Sequence, residues 1–377
     1  MNYRPVKKLI NFFKKETVLC IAALLSVVSA FFVPPSKEYL EYMDWRVLAL
    51  LFGLMLVVAG LQSIGLFKYL GLKLLERIRT TRQLCLLLVL LCFFSAMFIT
   101  NDVALITFVP FAVMILSMAD QSRLLIPAVV LQTIGANLGS MLTPIGNPQN
   151  LYLYSTFSIP IGTFLLDMLP LTLLSLLLLI IGVMLLPKVE ISVSAPEKKT
   201  APPKGKLALY LILFLVALSC VIQLLEWPVM LAVLCLAVLI MDRKLFRSVD
   251  YFLLLTFVCF FLFIGNMERI PAISDLLQAF IRGRELLIGI LLSQCISNVP
   301  AAILLSGFTD AAKPLLYGIN IGGLGTLIAS LASVISYRAY GESENAAKGA
   351  YIKTFTLYSI VFLAILAPAA ALLLQWL

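Results

Sequence analysis

Amides and hydroxyls spaced around glycine and proline inside apolar sequence are the residues of this chain that could hold a solute. Residues 135–150 read GANLGSMLTPIGNPQN. In hydrocarbon each such amide needs a partner that lipid cannot supply, and glycine and proline loosen the helix around it. Non-helical backbone survives at that depth only when buried in protein or facing a wet cavity. Residues 318–334, GINIGGLGTLIASLASV, superpose on residues 135–151 without a gap. Gly135 falls on Gly318, Asn137 on Asn320, Gly139 on Gly322, Thr143 on Thr326 and Ile145 on Ile328. Two broken segments at matching places in two halves of a chain point to the binding site of a secondary transporter.

Two shorter polar tips interrupt other apolar runs: Thr100-Asn101-Asp102 within residues 83–118, and Ser297-Asn298 within residues 285–308. Thr100 or Asn101 can cap an arm beginning at Val103, and Ser297 or Asn298 one beginning at Val299. Asn147-Pro148 suits an N-cap followed by the first helical residue, and Thr143-Pro144 is an equally good register. No Lys or Arg falls at membrane depth in this reading. A bound anion is then held by helix N-termini, backbone N–H groups, hydroxyls and side-chain amides. The expected substrate site comprises Thr100, Asn101, Asn137, Thr143, Asn147, Ser297, Asn298, Asn320, Thr326 and Ser330. Carbonyls freed at the same breaks can take a small cation. Asn101, Gly146, Asn298 and Gly325 are the candidate coupling-ion contacts, with sodium expected near Asn101 and Asn298. Asp102 is the only carboxylate placed deep, Asp167 lying nearer the outer surface. A carboxylate there is costly unless neutral or paired, which makes Asp102 the candidate proton carrier. Its alternative role is to cap the hairpin tip.

The elements that must position these groups follow from hydropathy. Of 377 residues, 62% are hydrophobic and 12% charged, with a mean hydropathy of +1.06, which demands many membrane spans. The net charge of +9 lies in clusters between apolar runs, with no basic face interleaved with aromatics, so nucleic acid is excluded as a partner. Histidine is absent, which removes Ser-His-Asp and Cys-His catalysis, HExxH zinc sites and histidine proton relays. The seven cysteines lie in apolar runs without a CxxC pair and read as small buried hydrophobes. Beyond a coupling sodium ion or proton, no cofactor is expected.

Arg4, Lys7, Lys8, Lys14 and Lys15 precede an apolar run at residues 17–33 that reads as a retained first span rather than a signal peptide. A second span covers residues 45–65. Residues 83–118 make either two full spans or, as we read the uncharged tip, a re-entrant hairpin. A broken helix over 124–157 and a span over 162–186 complete the first half. Residues 187–206, rich in Pro and Lys, form a linker that divides residues 1–186 from 207–377. The second half holds spans at 207–225, 228–241 and 249–265, a hairpin at 285–308, a broken helix at 314–335 and a last span at 353–376. The positive-inside rule puts the N-terminus and linker in the cytoplasm and the C-terminus outside, with 22 of the 28 Lys and Arg on the cytoplasmic side. The predicted fold is an all-α integral membrane protein of two inverted-topology repeats, each with a re-entrant hairpin and a broken transmembrane helix.

Together TND at 100–102, LTPIGNPQN at 142–150, SNVP at 297–300 and the Gly-rich stretch at 318–334 resemble the ion transporter superfamily. That group holds arsenite, citrate and dicarboxylate permeases and some sodium/proton antiporters; the likeness is in particular to its YbiR-type anion permeases. It covers nearly the whole chain. It implies a site between the hairpin tips and the broken helices, a homodimer and elevator-type movement. The tips depart from the paired Ser-Asn-Thr of the dicarboxylate branch. The expected function is secondary active transport of a small anion or oxyanion across the cytoplasmic membrane, coupled to protons or sodium. A sodium/proton antiporter using Asp102 and a passive channel are the alternatives within transport. An intramembrane enzyme would need a catalytic pair at depth, and only one deep acid is found.

Overall fold

A computed structural model describes residues 16–75, 78–191, 201–343 and 346–376. The basic segment at residues 4–15 and residues 192–200 of the linker lie outside the described residues. Helices α1 (Thr17–Phe32), α2 (Trp45–Ser63) and α3 (Leu66–Leu75) lead into a hairpin of α4 (Thr81–Ile99) and α5 (Asn101–Met118). Helices α6 (Leu125–Ser140) and α7 (Pro148–Thr156) flank the first break, and α8 (Ile161–Met184) follows. In the second half α9 (Lys204–Val221), α10 (Trp227–Asp242), α11 (Tyr251–Glu268) and α12 (Pro271–Ile281) precede a hairpin of α13 (Glu285–Ile296) and α14 (Asn298–Ser306). Helices α15 (Ala312–Gly322) and α16 (Leu331–Gly341) flank the second break, and α17 (Lys348–Trp376) ends the chain. Among the described residues, seven stretches are long and apolar enough to cross a membrane: α4, α5, α8, α9, α11, Lys37–Ser63 and Lys348–Gln375.

Local sequence explains the helix starts. Asp44 and Asp250 cap α2 and α11 in the same way, accepting from Val47 N at 2.9 Å and Leu253 N at 3.0 Å. Thr80 and Gln83 form a capping box on α4. Asn147 caps α7 by accepting from Asn150 N at 2.8 Å, with Pro148 at the first helical position, where its missing N–H costs nothing. Thr143-Pro144, the competing register, lies in the break.

The pairings of one half recur in the other. Helix α4 packs on α5 and α6 as α13 packs on α14 and α15, and α6 meets α8 as α15 meets α17. The halves also exchange contacts: α2 packs on α9 while α11 packs on α1, and α5 packs on α16 while α14 packs on α7. Glycine permits the closest of these approaches. A Cβ at Gly139 would lie 2.0 Å from the Phe93 carbonyl oxygen of α4, and one at Gly318 would lie 2.6 Å from that of Leu286 in α13.

Hydropathy leaves α3 and α12 as charged connections, yet both are short helices. Gly65, at φ +73°, opens into α3, and Gly283, at φ +75°, follows α12. Helix α16 runs to Gly341, past the apolar limit at residue 335, because backbone hydrogen bonds rather than hydropathy end a helix. Arg338 in its last turn suits the negative end of the helix dipole.

Candidate functional site

Each hairpin turns on one residue in a backbone conformation that is almost confined to glycine. Thr100 sits at φ 70°, ψ 150° and Ser297 at φ 75°, ψ 154°, a strain of about 1–3 kcal/mol each by the usual scale. The arms therefore begin at Asn101 and Asn298, not at Val103 and Val299. Neither Thr100 nor Ser297 makes a side-chain cap bond. Asp102 lies in the first turn of α5 rather than capping it, where its charge still suits the helix dipole.

The first apex is tied into the protein centre. Asn101 N donates to the Gly146 carbonyl at 3.0 Å, and Asn101 Nδ2 donates to Asn137 Oδ1 at 2.9 Å. The same Oδ1 accepts from Ser330 Oγ at 3.0 Å, and Asn137 Nδ2 donates to Ser333 Oγ at 3.3 Å. Ser140 Oγ bridges onward, donating to the Asn137 carbonyl at 2.8 Å and accepting from Asn147 Nδ2 at 2.9 Å. Asn147 Nδ2 reaches Asn320 Oδ1 at 3.3 Å, and Asn320 Nδ2 returns to Asn150 Oδ1 at 2.7 Å. Asn150 Nδ2 lies within 3.4 Å of the Ser140, Met141 and Thr143 carbonyls, which the broken helix leaves without helical partners. These amides come from both halves and are almost wholly buried. In such surroundings a satisfied network is rigid and removing one member is expensive.

The second apex is built differently. Asn298 is 3% exposed and lies against Gly323, yet its amide makes no hydrogen bond to the described residues. Gln294 of α13 braces the second break instead. Its Nε2 donates to the Gly322 and Leu324 carbonyls at 2.8 Å each, and its Oε1 accepts from Thr326 N at 2.9 Å. Gly325, at φ +106°, lets that side chain in: a Cβ there would meet Gln294 Oε1 at 2.4 Å. Ser297 Oγ points to the Ala329 carbonyl at 3.5 Å.

Of the residues expected to converge, Asn101, Asn137, Asn147, Asn320 and Ser330 share the first network, with Gly146 joined through its carbonyl. Thr143 donates to the Met97 carbonyl at 2.5 Å, fastening the first break to α4. Ser297, Asn298, Gly325 and Thr326 belong to the second group, where the Thr326 side chain is exposed. Thr100 and Asp102 line a cavity of about 200 Å³ beside the first apex, with Asn147 on their side and Gln62 and Asp250 opposite. Among the described residues, no Lys or Arg lines it. A second cavity, about 330 Å³, lies at the opposite ends of α2 and α11, lined by Asp44, Tyr152, Glu268 and Ser306. Each cavity thus joins the Asp-capped start of one of these two helices to the end of the other.

Ser140, Asn150, Ser333, Gln294 and Asp250 escape the sequence reading. Asn150 carries a signal, standing three residues after an Asn-Pro cap. Gln294 and Asp250 carry none, since their roles depend on which chain segment packs opposite them.

Paired helix breaks packed with amides, set among helices of which seven described stretches are long and apolar enough to cross a membrane, define a multi-pass membrane transporter. Comparison with known proteins supplies the family. The family model described as citrate transporter, CitMHS, matches residues 9–314, and the chain belongs to that family, within the ion transporter superfamily. The chain is 33% identical over 326 residues to the inner membrane protein YbiR of Escherichia coli K12, covering 84% of this chain and 85% of that one. It is equally 33% identical over 306 residues to a transporter of Methanocaldococcus jannaschii, covering 80% and 82%. A silicon efflux transporter of rice, LSI3, is 35% identical over 152 residues, 40% of this chain and 30% of its own length.

Proposed function

We propose that this protein is a secondary active transporter of a small anion or oxyanion, working by alternating access in the cytoplasmic membrane. One observation carries the reading. Both helix breaks and the first hairpin apex meet in a single buried amide network beside a cavity that Thr100, Asp102 and Asn147 line. Amides and helix ends that cost so much to bury are retained where they serve a solute.

In this reading the two halves are inverted repeats, and the exchanged contacts of α5 with α16 and α14 with α7 are those that an in-plane two-fold axis would generate. The arms of α13 and α14 span about 18 and 14 Å at 1.5 Å per residue, too short to cross a hydrocarbon core of about 30 Å, so this hairpin is re-entrant. The arms of α4 and α5, about 28 and 27 Å, are long enough to cross, and their uncharged apex in the amide network favours a re-entrant first hairpin as well. The hairpins and broken helices form the moving body. Helices α1, α2 and α9 to α11 form a dimeric scaffold, and the two acidic cavities at the seam are the alternate entrances. The chain carries its N-terminus inside and its C-terminus outside.

Asp102 couples the cycle to protons, and freed carbonyls near Asn101 and Asn298 offer sodium the alternative seat. Reconstitution decides the function: purified protein screened for solutes that raise Tm, then assayed for uptake into proteoliposomes under imposed proton or sodium gradients. Uptake that never accumulates solute against its gradient would make the protein a channel. Proton–sodium exchange without any solute would make it an antiporter.

A further inference from the structure

A cavity of about 350 Å³ lies where α2, α3 and α5 meet, apart from the amide network. Phe67, Phe108, Phe111 and Met114 give it apolar walls, and Gln62 and Lys68 stand at its rim. Gln62, Lys68 and Pro110 are exposed, so the cavity opens on the outer surface of the helix bundle. Gln62 Nε2 donates to Thr107 Oγ1 at 3.4 Å beneath the rim.

Helix α3 shows what that mouth faces. It buries Phe67, Gly71, Leu72 and Leu75 while exposing Leu70 and Leu74 next to Lys68 and Lys73. A short helix that exposes leucines and lysines together lies along a membrane surface, with apolar side chains at acyl depth and ammonium groups among the headgroups. Arg79 and Arg82 follow at the start of α4 and add basic charge close to α3 in sequence. A basic rim over an apolar recess between helices at headgroup level is the chemistry that recognises an anionic lipid.

We propose that this cavity binds an anionic phospholipid, one acyl chain lying among Phe67, Phe108, Phe111 and Met114 and the phosphate against Lys68. The site spans α2 and the hairpin arm α5, so an occupant bridges two parts that the transport reading sets in relative motion. The binding site itself stands on membrane embedding alone and survives if that reading fails.

The test uses the full chain purified in detergent, with phosphatidylglycerol or phosphatidylcholine added as mixed micelles at equal mole fraction. Thermal unfolding gives Tm, and native mass spectrometry counts retained lipid. Phosphatidylglycerol at tenfold excess over Kd should raise Tm by roughly 3 °C, and phosphatidylcholine should not. Lys68→Gln removes the charge and Met114→Trp fills the recess; each should abolish the rise and the retained lipid. Inorganic phosphate alone should leave Tm unchanged. Equal lipid retention by wild type and both variants overturns the proposal, as does a rise reproduced by phosphate. A change in subunit count with Met114→Trp, with lipid retention intact, would assign the recess to a second copy and overturn it too. If Met114→Trp unfolds, Lys68→Met decides alone, since it keeps the apolar stem and loses only the charge.

Discussion

At the first hairpin apex Asn101 is held on both sides, by the Gly146 carbonyl and by Asn137. At the second, Asn298 is as deeply buried and its amide has no hydrogen-bond partner among the described residues. The backbone turn is nearly the same, within 5° in both φ and ψ. The bracing runs in opposite directions. Four residues before the first Asn, the Met97 carbonyl accepts from Thr143 of the break, whereas four residues before the second, Gln294 reaches out to the break with its own side chain. One apex is therefore fixed within the protein. The other holds an amide that makes no hydrogen bond to the described residues and is free to take a partner from outside the protein.

Glycine contacts give the largest way to break this comparison. Gly139→Ala would drive a Cβ to 2.0 Å from the Phe93 carbonyl oxygen, and backbone cannot swing aside. We expect a loss of about 3 kcal/mol or more, seen as failure to recover monodisperse protein by size-exclusion chromatography. Gly322→Ala, its match in the second half, meets Ser293 Oγ at 2.8 Å and the Gly289 carbonyl oxygen and Ile290 Cα only at 3.0 Å, so a shift of a few tenths of an ångström should let it fold with a lower Tm. Equal outcomes would mean that the two halves tolerate the same strain.

The two asparagines sharpen it next. Asn101→Ala removes the bond to Asn137 and the one its Oδ1 accepts from Asp102 N at 3.0 Å, and should cost about 2 kcal/mol. Asn298→Ala removes no hydrogen bond within the protein and should change stability by less than about 0.5 kcal/mol, while abolishing stabilisation by solute or sodium. Denaturation midpoints with and without ligand separate these outcomes. A large ligand-free cost for Asn298→Ala would show that its amide is already satisfied within the protein.

Bracing gives a third, middle-sized effect. Gln294→Leu leaves the Gly322 and Leu324 carbonyls and Thr326 N to find other partners. Thr326 is exposed and its N–H can take a partner from outside the protein, so we expect a cost of about 1–2 kcal/mol rather than the sum of three lost bonds. The protein should fold, and hydrogen exchange should quicken across residues 322–330 and not across 139–147. Protection lost equally at both breaks would unite what the comparison separates.

Much of this was legible in the residues themselves. Apolar length marked the spans, and an amide in hydrocarbon marks itself by its cost, so the gapless match of Asn137 with Asn320 and of Thr143 with Thr326 drew attention to the breaks. That match does not reach environment. Thr143 is fastened to α4 through its hydroxyl, whereas Thr326 uses its N–H and leaves its side chain exposed. The partner depends on what the other half places opposite, and a one-chain pattern carries no such information. Helices α3 and α12 were hidden for a different reason: ten and eleven residues are too few to cross a membrane, and the charges within or beside them, Lys68 and Lys73 in the one and Arg269, Arg282 and Arg284 around the other, make them read as connections. Asp250 caps α11, and its place on the cavity wall emerges only in the fold, where Asp102 lies across from it.

Asp102 is where the smallest structural change should have the clearest functional result. Its carboxylate makes no hydrogen bond to the described residues, and it faces the cavity that Asp250 lines from the other side. Asn in its place keeps the size and polarity and should leave Tm within about 1 °C, since no native contact is lost. An amide cannot carry a proton. If Asp102 is the coupling acid, it binds its proton and the anion together, and reciprocity makes each favour the other. Asp102→Asn should then retain solute binding and exchange while losing accumulation driven by a pH gradient. Proteoliposomes loaded with solute measure exchange, and the same vesicles under an imposed pH difference measure accumulation. Asp250→Asn is the control, because Asn can still cap α11 through its Oδ1 and alters only the scaffold side of the cavity. Undiminished pH-driven accumulation in Asp102→Asn would move coupling away from this apex. The unpartnered amide of Asn298 would then become the place to look for sodium, and the contrast between a fixed apex and an open one would also be the division between wall and coupling site.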